Sequence, residues 1–171
     1  QSTLLAGLYN RLLTISDDRV RTGINDSIIA IVDKYAHSDS VFNHRFREIR
    51  YLGQIVSPDQ KIKILTWNLV LRNSPGFYYS YVVKKGEGGS KNEVYRLKAA
   101  YKTEAPIPDG LYTDKNWYGA LYYDIMPIKT SKGTFWMLFG IDYGNSVVTR
   151  KVIYVLSFTE KGTIVFGKKW V

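Results

Sequence analysis

The last third of the chain, residues 117 to 171, constrains the fold most. It reads as runs of Trp, Tyr, Phe, Val and Ile broken at Lys132-Gly133, Gly144-Asn145 and Lys161-Gly162, the pattern of pleated segments joined by tight turns. Connections this short join antiparallel neighbours only, because a parallel crossover needs a dozen or more residues. An antiparallel meander is therefore expected. Alternation does not separate a dry face from a wet one. Trp117, Leu121, Tyr123 and Ile125 have one parity and Tyr118, Ala120, Tyr122 and Met126 the other, while Ile153 and Val155 oppose Val152, Tyr154, Leu156 and Phe158. Strands apolar on both sides are covered on both sides or closed into a partial barrel.

The opposite end of the chain has helical period. Leu4, Leu5, Leu8, Leu12 and Ile15 predict a short amphipathic helix over residues 4 to 15. Ser16, Asp17 and Asp18 then supply N-cap candidates, and Val20, Ile24, Ile28, Ile31, Val32 and Tyr35 form the stripe of a second helix. Two stripes this close make a helical hairpin that must bury against the sheet. The period changes near residue 45, where Ile49, Tyr51 and Ile55 lead to a turn at Ser57-Pro58-Asp59-Gln60. Strands follow over 61 to 70, 77 to 85 and 93 to 101, the last two joined by a glycine-rich tip at 86 to 92. Residues 102 to 116, with Pro106, Pro108 and Gly110, are an irregular separator between two hairpin groups.

The expected fold class is α+β: an N-terminal helical pair packed on a curved antiparallel meander, a partial barrel of about seven or eight strands. The boundaries are a single domain over 1–171, with 1–44 helical and 45–171 antiparallel β. A chain of 171 residues buries about 70% of its unfolded surface without staples. There is no cysteine, which excludes disulfides and thiolate metal sites. No apolar run of the length that spans a bilayer is present, so no transmembrane segment is expected.

The formal charge of +9 is uneven, since residues 59 to 171 hold seventeen Lys/Arg against nine Asp/Glu. Fourteen of the seventeen are Lys. Base and phosphate forks favour Arg, so weak polyanion affinity is expected through exposed Lys84, Lys85, Lys91, Lys98, Lys102, Lys168 and Lys169, with no specific nucleic-acid partner. The two histidines, His37 and His44, flank a polar loop and make no metal motif. Neither a nucleophile elbow nor a triad can be assembled. No catalytic residue, metal or cofactor is assigned.

Fourteen Tyr and four Trp are the stronger functional hint, because exposed rings stack sugars and anchor peptides. Asp124 and Asp142 each interrupt an aromatic strand. The candidate ligand-binding residues are Trp67, Asn68, Trp117, Tyr118, Tyr122, Asp124, Asp142 and Tyr143. The expectation is a non-enzymatic domain that binds a glycan, peptide or partner protein through aromatic side chains. The alternative is a carboxylate-dependent hydrolase using Asp124 and Asp142, one as acid and one as nucleophile or base.

Ser57, Asp59 and Lys61 leading to Trp67 and Asn68, WYGALYYDI at 117 to 125, GIDYGN at 140 to 145, and TRKVIYVLSF with VFG at 149 to 167 resemble a family of exported proteins from Gram-negative gut anaerobes that has no established activity. The sequence departs from that family at Gln60, where Gly is usual, and at Asn68 and Ile141, where Asp and Trp are usual. The resemblance implies a β-rich fold and export, to the periplasm or the outer surface. A chain that opens on Gln1 rather than Met is compatible with removal of a signal peptide or with a trimmed chain.

Overall fold

The computed structural model describes residues 2–107, 109–144 and 148–167. Its two helices are α1 (Ser2–Thr14) and α2 (Asp18–Ala36). Asp17 caps α2, its carboxylate accepting from the Val20 amide at 3.0 Å. Leu5, Leu8 and Tyr9 of α1 and Ile24, Ile28, Val32 and Tyr35 of α2 are buried, whereas Leu4 and Val20, expected in the stripes, face out. Arg21 ties three elements together: its guanidinium donates to the carbonyls of Leu12, of Ile15 at 2.7 Å and of Val70 at 2.9 Å.

Nine strands follow among the described residues, all paired antiparallel, in two sheets rather than one meander. Sheet A is β1 (Gly53–Val56), β2 (Ile62–Leu69), β3 (Phe77–Lys84) and β4 (Glu93–Ala100), in that order. Sheet B comprises β5 (Tyr112–Thr113), β6 (Leu121–Thr130), β7 (Gly133–Asp142), β8 (Arg150–Phe158) and β9 (Ile164–Phe166), ordered β5-β9-β8-β7-β6. The α+β class with N-terminal helices holds, and no closed barrel forms among the described residues. Sheet B is nevertheless strongly curled, since Tyr122 of β6 stacks on Phe166 of β9, three strands away, with 6.1 Å between centroids.

The molecule has three layers, and the period of two places each residue. In β2 and β3 the odd-numbered Leu65, Trp67, Leu69, Tyr79, Tyr81 and Val83 meet the helices, and the even-numbered Ile62, Ile64, Tyr78 and Val82 meet sheet B. Strands covered on both faces are thus β2 and β3, not the C-terminal strands to which the sequence pattern assigned that position. Trp67 donates to Asn25 Oδ1 of α2 at 2.8 Å inside the helical layer. Lys63 has the same parity and is 2% exposed. Its ammonium donates to the carbonyls of Val41 at 2.7 Å and His44 at 2.6 Å and to the Tyr35 hydroxyl.

Residues 117 to 120, expected to open a strand, instead form a buried crossover before β6. Trp117, Tyr118 and Ala120 are buried in the inter-sheet core. Gly119 explains the break: its φ is +94°, and a Cβ there would lie 2.6 Å from Tyr78 Cδ2 and 2.9 Å from Ala99 Cβ. Gly119→Ala combines an unfavourable backbone with overpacking, so a loss of about 2–4 kcal/mol is expected in urea denaturation. A loss below about 0.5 kcal/mol would show that the crossover shifts freely.

Candidate functional site

Asp142 closes β7 on the inner side of sheet B and is 1% exposed. Its carboxylate accepts from the hydroxyls of Tyr78 at 3.2 Å and Tyr118 at 2.8 Å, from the Gly144 amide at 2.8 Å and from Arg150 Nη1 at 3.1 Å. The Tyr78 hydroxyl accepts in turn from the Tyr143 amide at 2.7 Å. Its ring stacks on Tyr101 at 4.4 Å, whose hydroxyl accepts from Asn68 Nδ2 at 2.6 Å. Arg150 also donates to the Thr103 carbonyl at 2.7 Å, which holds the segment after β4 against sheet B.

This network gathers Asn68, Tyr118, Asp142 and Tyr143, four of the residues singled out in the sequence. It adds Tyr78, Tyr101 and Arg150, which the sequence reasoning missed. A signal for Arg150 exists, because Asp142 and Arg150 are direct cross-strand partners of one hairpin and opposite charges so placed attract. Burial, the leading cause, raises the phenol pKa values of Tyr78 and Tyr118 well above their usual range. Both therefore stay neutral donors near pH 7. A carboxylate with this many donors, out of solvent, is a buttress rather than a base in contact with substrate.

The remaining candidates lie elsewhere. Trp117 donates to the Tyr122 hydroxyl at 2.8 Å inside the inter-sheet core, and Trp67 sits in the helical layer. All three rings are at most 3% exposed, so they form core and not a stacking platform. Asp124 occupies a bulge in β6, pairs with outward-facing Phe139 and is exposed. The two carboxylates thus lie on opposite faces of sheet B and do not flank one bond. His37 caps the C-terminus of α2, its Nδ1–H donating to the Asp33 carbonyl at 2.8 Å, and the His44 ring packs edge-on against Tyr35 and Phe46. Among the described residues no group of three His, Cys, Asp or Glu side chains converges on one point.

The solvent-facing feature of sheet B is its outer face. Met126 and Ile128 on β6, Met137, Phe139 and Ile141 on β7, Ile153 and Val155 on β8, and Val165 on β9 share outward parity. Ile153 is 63% and Met126 48% exposed. The wet face of an antiparallel sheet ordinarily alternates to polar residues, and contiguous apolar surface on that face marks an interaction site. Residues 105 to 107, 109 and 110 run beside β8 and leave a groove of about 560 Å³, lined by Pro106, Ile107, Met137, Ile153 and Val155 together with Arg150 and Lys151.

The edges of this sheet are guarded. β6 carries Pro127, which has no N–H to offer, and a bulge between Tyr122 and Asp124, and β5 is two residues long. Such devices suppress edge-to-edge strand addition. The face has no equivalent protection. Comparison with protein-family models, with curated proteins and with solved structures finds no match for this chain.

Proposed function

We propose that this chain is a non-enzymatic binding domain whose outer sheet-B face receives an extended apolar segment of a partner protein. The observation that carries this reading is the row of outward Met, Ile, Val and Phe side chains across four strands. Methionine supplies adaptable contact, and aliphatic side chains reward a peptide more than a sugar ring. Exposed Lys151 in the lining of the groove, with the formal charge of +9, favours a partner with carboxylates beside its apolar residues. Aromatic stacking on a glycan is the weaker alternative here, because the tryptophans Trp67, Trp117 and Trp136 are core. A hydrolase built on Asp124 and Asp142 lacks a shared face for its two carboxylates. The resemblance in the turn at Ser57 and in the segments from Trp117 onward supports export, to the periplasm or outer surface of a Gram-negative bacterium. No helix of the described residues is long and apolar enough to cross a membrane.

The test screens the protein against peptide and glycan arrays and repeats the hits with Ile153→Asp. Peptides with apolar residues next to Asp or Glu are expected to bind, and Ile153→Asp is expected to weaken them about thirtyfold, as for an interface anchor. Its stability should change by about 0.5 kcal/mol or less, because Ile153 is exposed. A peptide array without hits, or glycan binding that Ile153→Asp leaves intact, overturns the proposal.

A further inference from the structure

At the far end of β7 from Asp142, four lysines from three places line one concavity of about 240 Å³: Lys61 before β2, Lys84 and Lys85 at the end of β3, the latter with its ammonium over the Phe42 ring, and Lys132 in the β6–β7 turn. Its floor is aromatic, with Phe158 and Trp136 packed edge to face at 6.0 Å. Lys61 follows the turn that Ser57 and Asp59 lock in place. Ser57 Oγ accepts from the amides of Lys61 at 3.2 Å and Ile62 at 3.0 Å, and the Asp59 carboxylate accepts from Trp136 Nε1 at 3.1 Å. The turn is thereby fixed to sheet B, so the lysines of both sheets keep a set spacing.

None of the four forms an ion pair among the described residues, where the only salt bridges join Asp33 to His37 and Arg96 and Asp142 to Arg150. Glu87 is the single carboxylate in the lining, and Asp59 is engaged by Trp136. Lysines gathered around a single carboxylate repel one another unless an anion enters. Other lysines of the basic region are spent within the fold. Lys63 is buried, and Lys102 donates to the Tyr118 carbonyl at 3.0 Å rather than standing exposed as expected. Lys168 and Lys169 lie outside the described residues. Lys91, Lys115, Lys129, Lys151 and Lys161 are exposed as well, but none of them lines this concavity.

We propose that this lysine quartet is a binding site for the sulfate or carboxylate groups of an acidic polysaccharide. The site reads charge and not bases. Lysine presents point charges without the planar fork of arginine, and the Lys84 ammonium already covers the Phe158 ring at 4.8 Å, leaving no free ring face there on which a base could stack. A sulfated sugar needs neither. It presents several oxyanions to the lysine ammonium groups.

A heparin hexasaccharide is the probe, titrated calorimetrically into the intact protein at low and physiological salt. Binding is expected to weaken about tenfold in the Lys84→Gln/Lys132→Gln double variant, with the slope of log affinity against log salt reduced by about two. A control double variant, Lys91→Gln/Lys98→Gln, carries the same change in net charge and should weaken binding less than about twofold. Circular dichroism and urea midpoints check that both variants fold. The site is overturned by equal losses in the two variants, by absence of hexasaccharide binding at low salt, or by tighter binding of a single-stranded oligonucleotide of equal charge. The last result would assign the lysines to a nucleic-acid backbone.

Discussion

Raising the pH above 10 is expected to unfold the protein cooperatively within about one pH unit. Burial, as the leading cause, raises the phenol pKa values of Tyr9, Tyr35, Tyr78, Tyr81, Tyr118, Tyr122 and Tyr154, those of Tyr35 and Tyr81 to about 12. Above pH 10 each of these side chains loses its proton in the unfolded chain and keeps it in the fold. The unfolded state then binds fewer protons, so stability present below pH 10 is lost as the pH rises, by about 1.4 kcal/mol per tyrosine per unit. Seven such groups acting together remove about 10 kcal/mol per unit, which is the whole stability of an ordinary domain. The hydroxyls of Tyr9 and Tyr154 have no hydrogen-bond partner among the described residues, so nothing there would stabilise a phenolate.

Lys63 works in the opposite sense over a lower window. Desolvation, with a smaller contribution from Arg45, depresses its pKa to about 8. Between pH 8 and 10.5 the fold holds it neutral while the unfolded chain is protonated, so stability rises through that window by up to about 3 kcal/mol. The expected profile climbs from pH 8 to a maximum near pH 10 and then collapses. Tyrosinate absorbance and far-ultraviolet circular dichroism, followed together, should change in one step. Gradual tyrosine titration around pH 10 with the dichroism intact would show that the rings are solvated.

Those tyrosines also mark the boundary of what the residues disclose before folding. The helical hairpin was legible because Asp17 caps α2 and the apolar spacing is local. So were the antiparallel hairpins, since each turn joins neighbours in the chain. Which ring is core was not legible, because Trp67 is buried by α2, a partner more than forty residues away, and β propensity favours Trp and Tyr on either face of a sheet. The depth of Lys63 was hidden for the same reason. Its acceptors, Val41 and His44, come from the loop after α2, so the alternation of β2 alone does not say that this lysine has carbonyls to meet. The passage from β5 at one edge of sheet B to β6 at the other rests on Gly119 and the crossover around it. A glycine in an aromatic run reads as a weak strand residue until its positive φ is seen. The apolarity of both faces of the C-terminal strands was visible, but was assigned to coverage by other layers. In the structure one of those faces is open to solvent, and that mismatch is what points to a docking surface.

The charge pair at the opposite end of β7 from the lysine quartet is expected to give the largest loss of stability from any single polar substitution. Asp142→Ala removes the carboxylate that Arg150, Tyr78, Tyr118 and the Gly144 amide all address. The Arg150 side chain is only 22% exposed, so it keeps a charge that water solvates poorly, the Tyr78 hydroxyl loses its acceptor, and Tyr118 is left with the Glu104 carbonyl alone. Breaking one partner of such a pair costs about 3–5 kcal/mol. Replacing both partners is expected to cost less than the two single losses added together, so Asp142→Leu/Arg150→Met should recover about 1–3 kcal/mol of that sum. The effect reaches the groove, because Arg150 is also the donor that holds the Thr103 carbonyl beside sheet B. Amide exchange in residues 103 to 107 should therefore quicken in Asp142→Ala more than in the helices, where the packing is independent of this end of the sandwich. Additive single losses, each below about 1 kcal/mol, would mean that Asp142 and Arg150 are solvated separately and that the wall of the groove is held by something else.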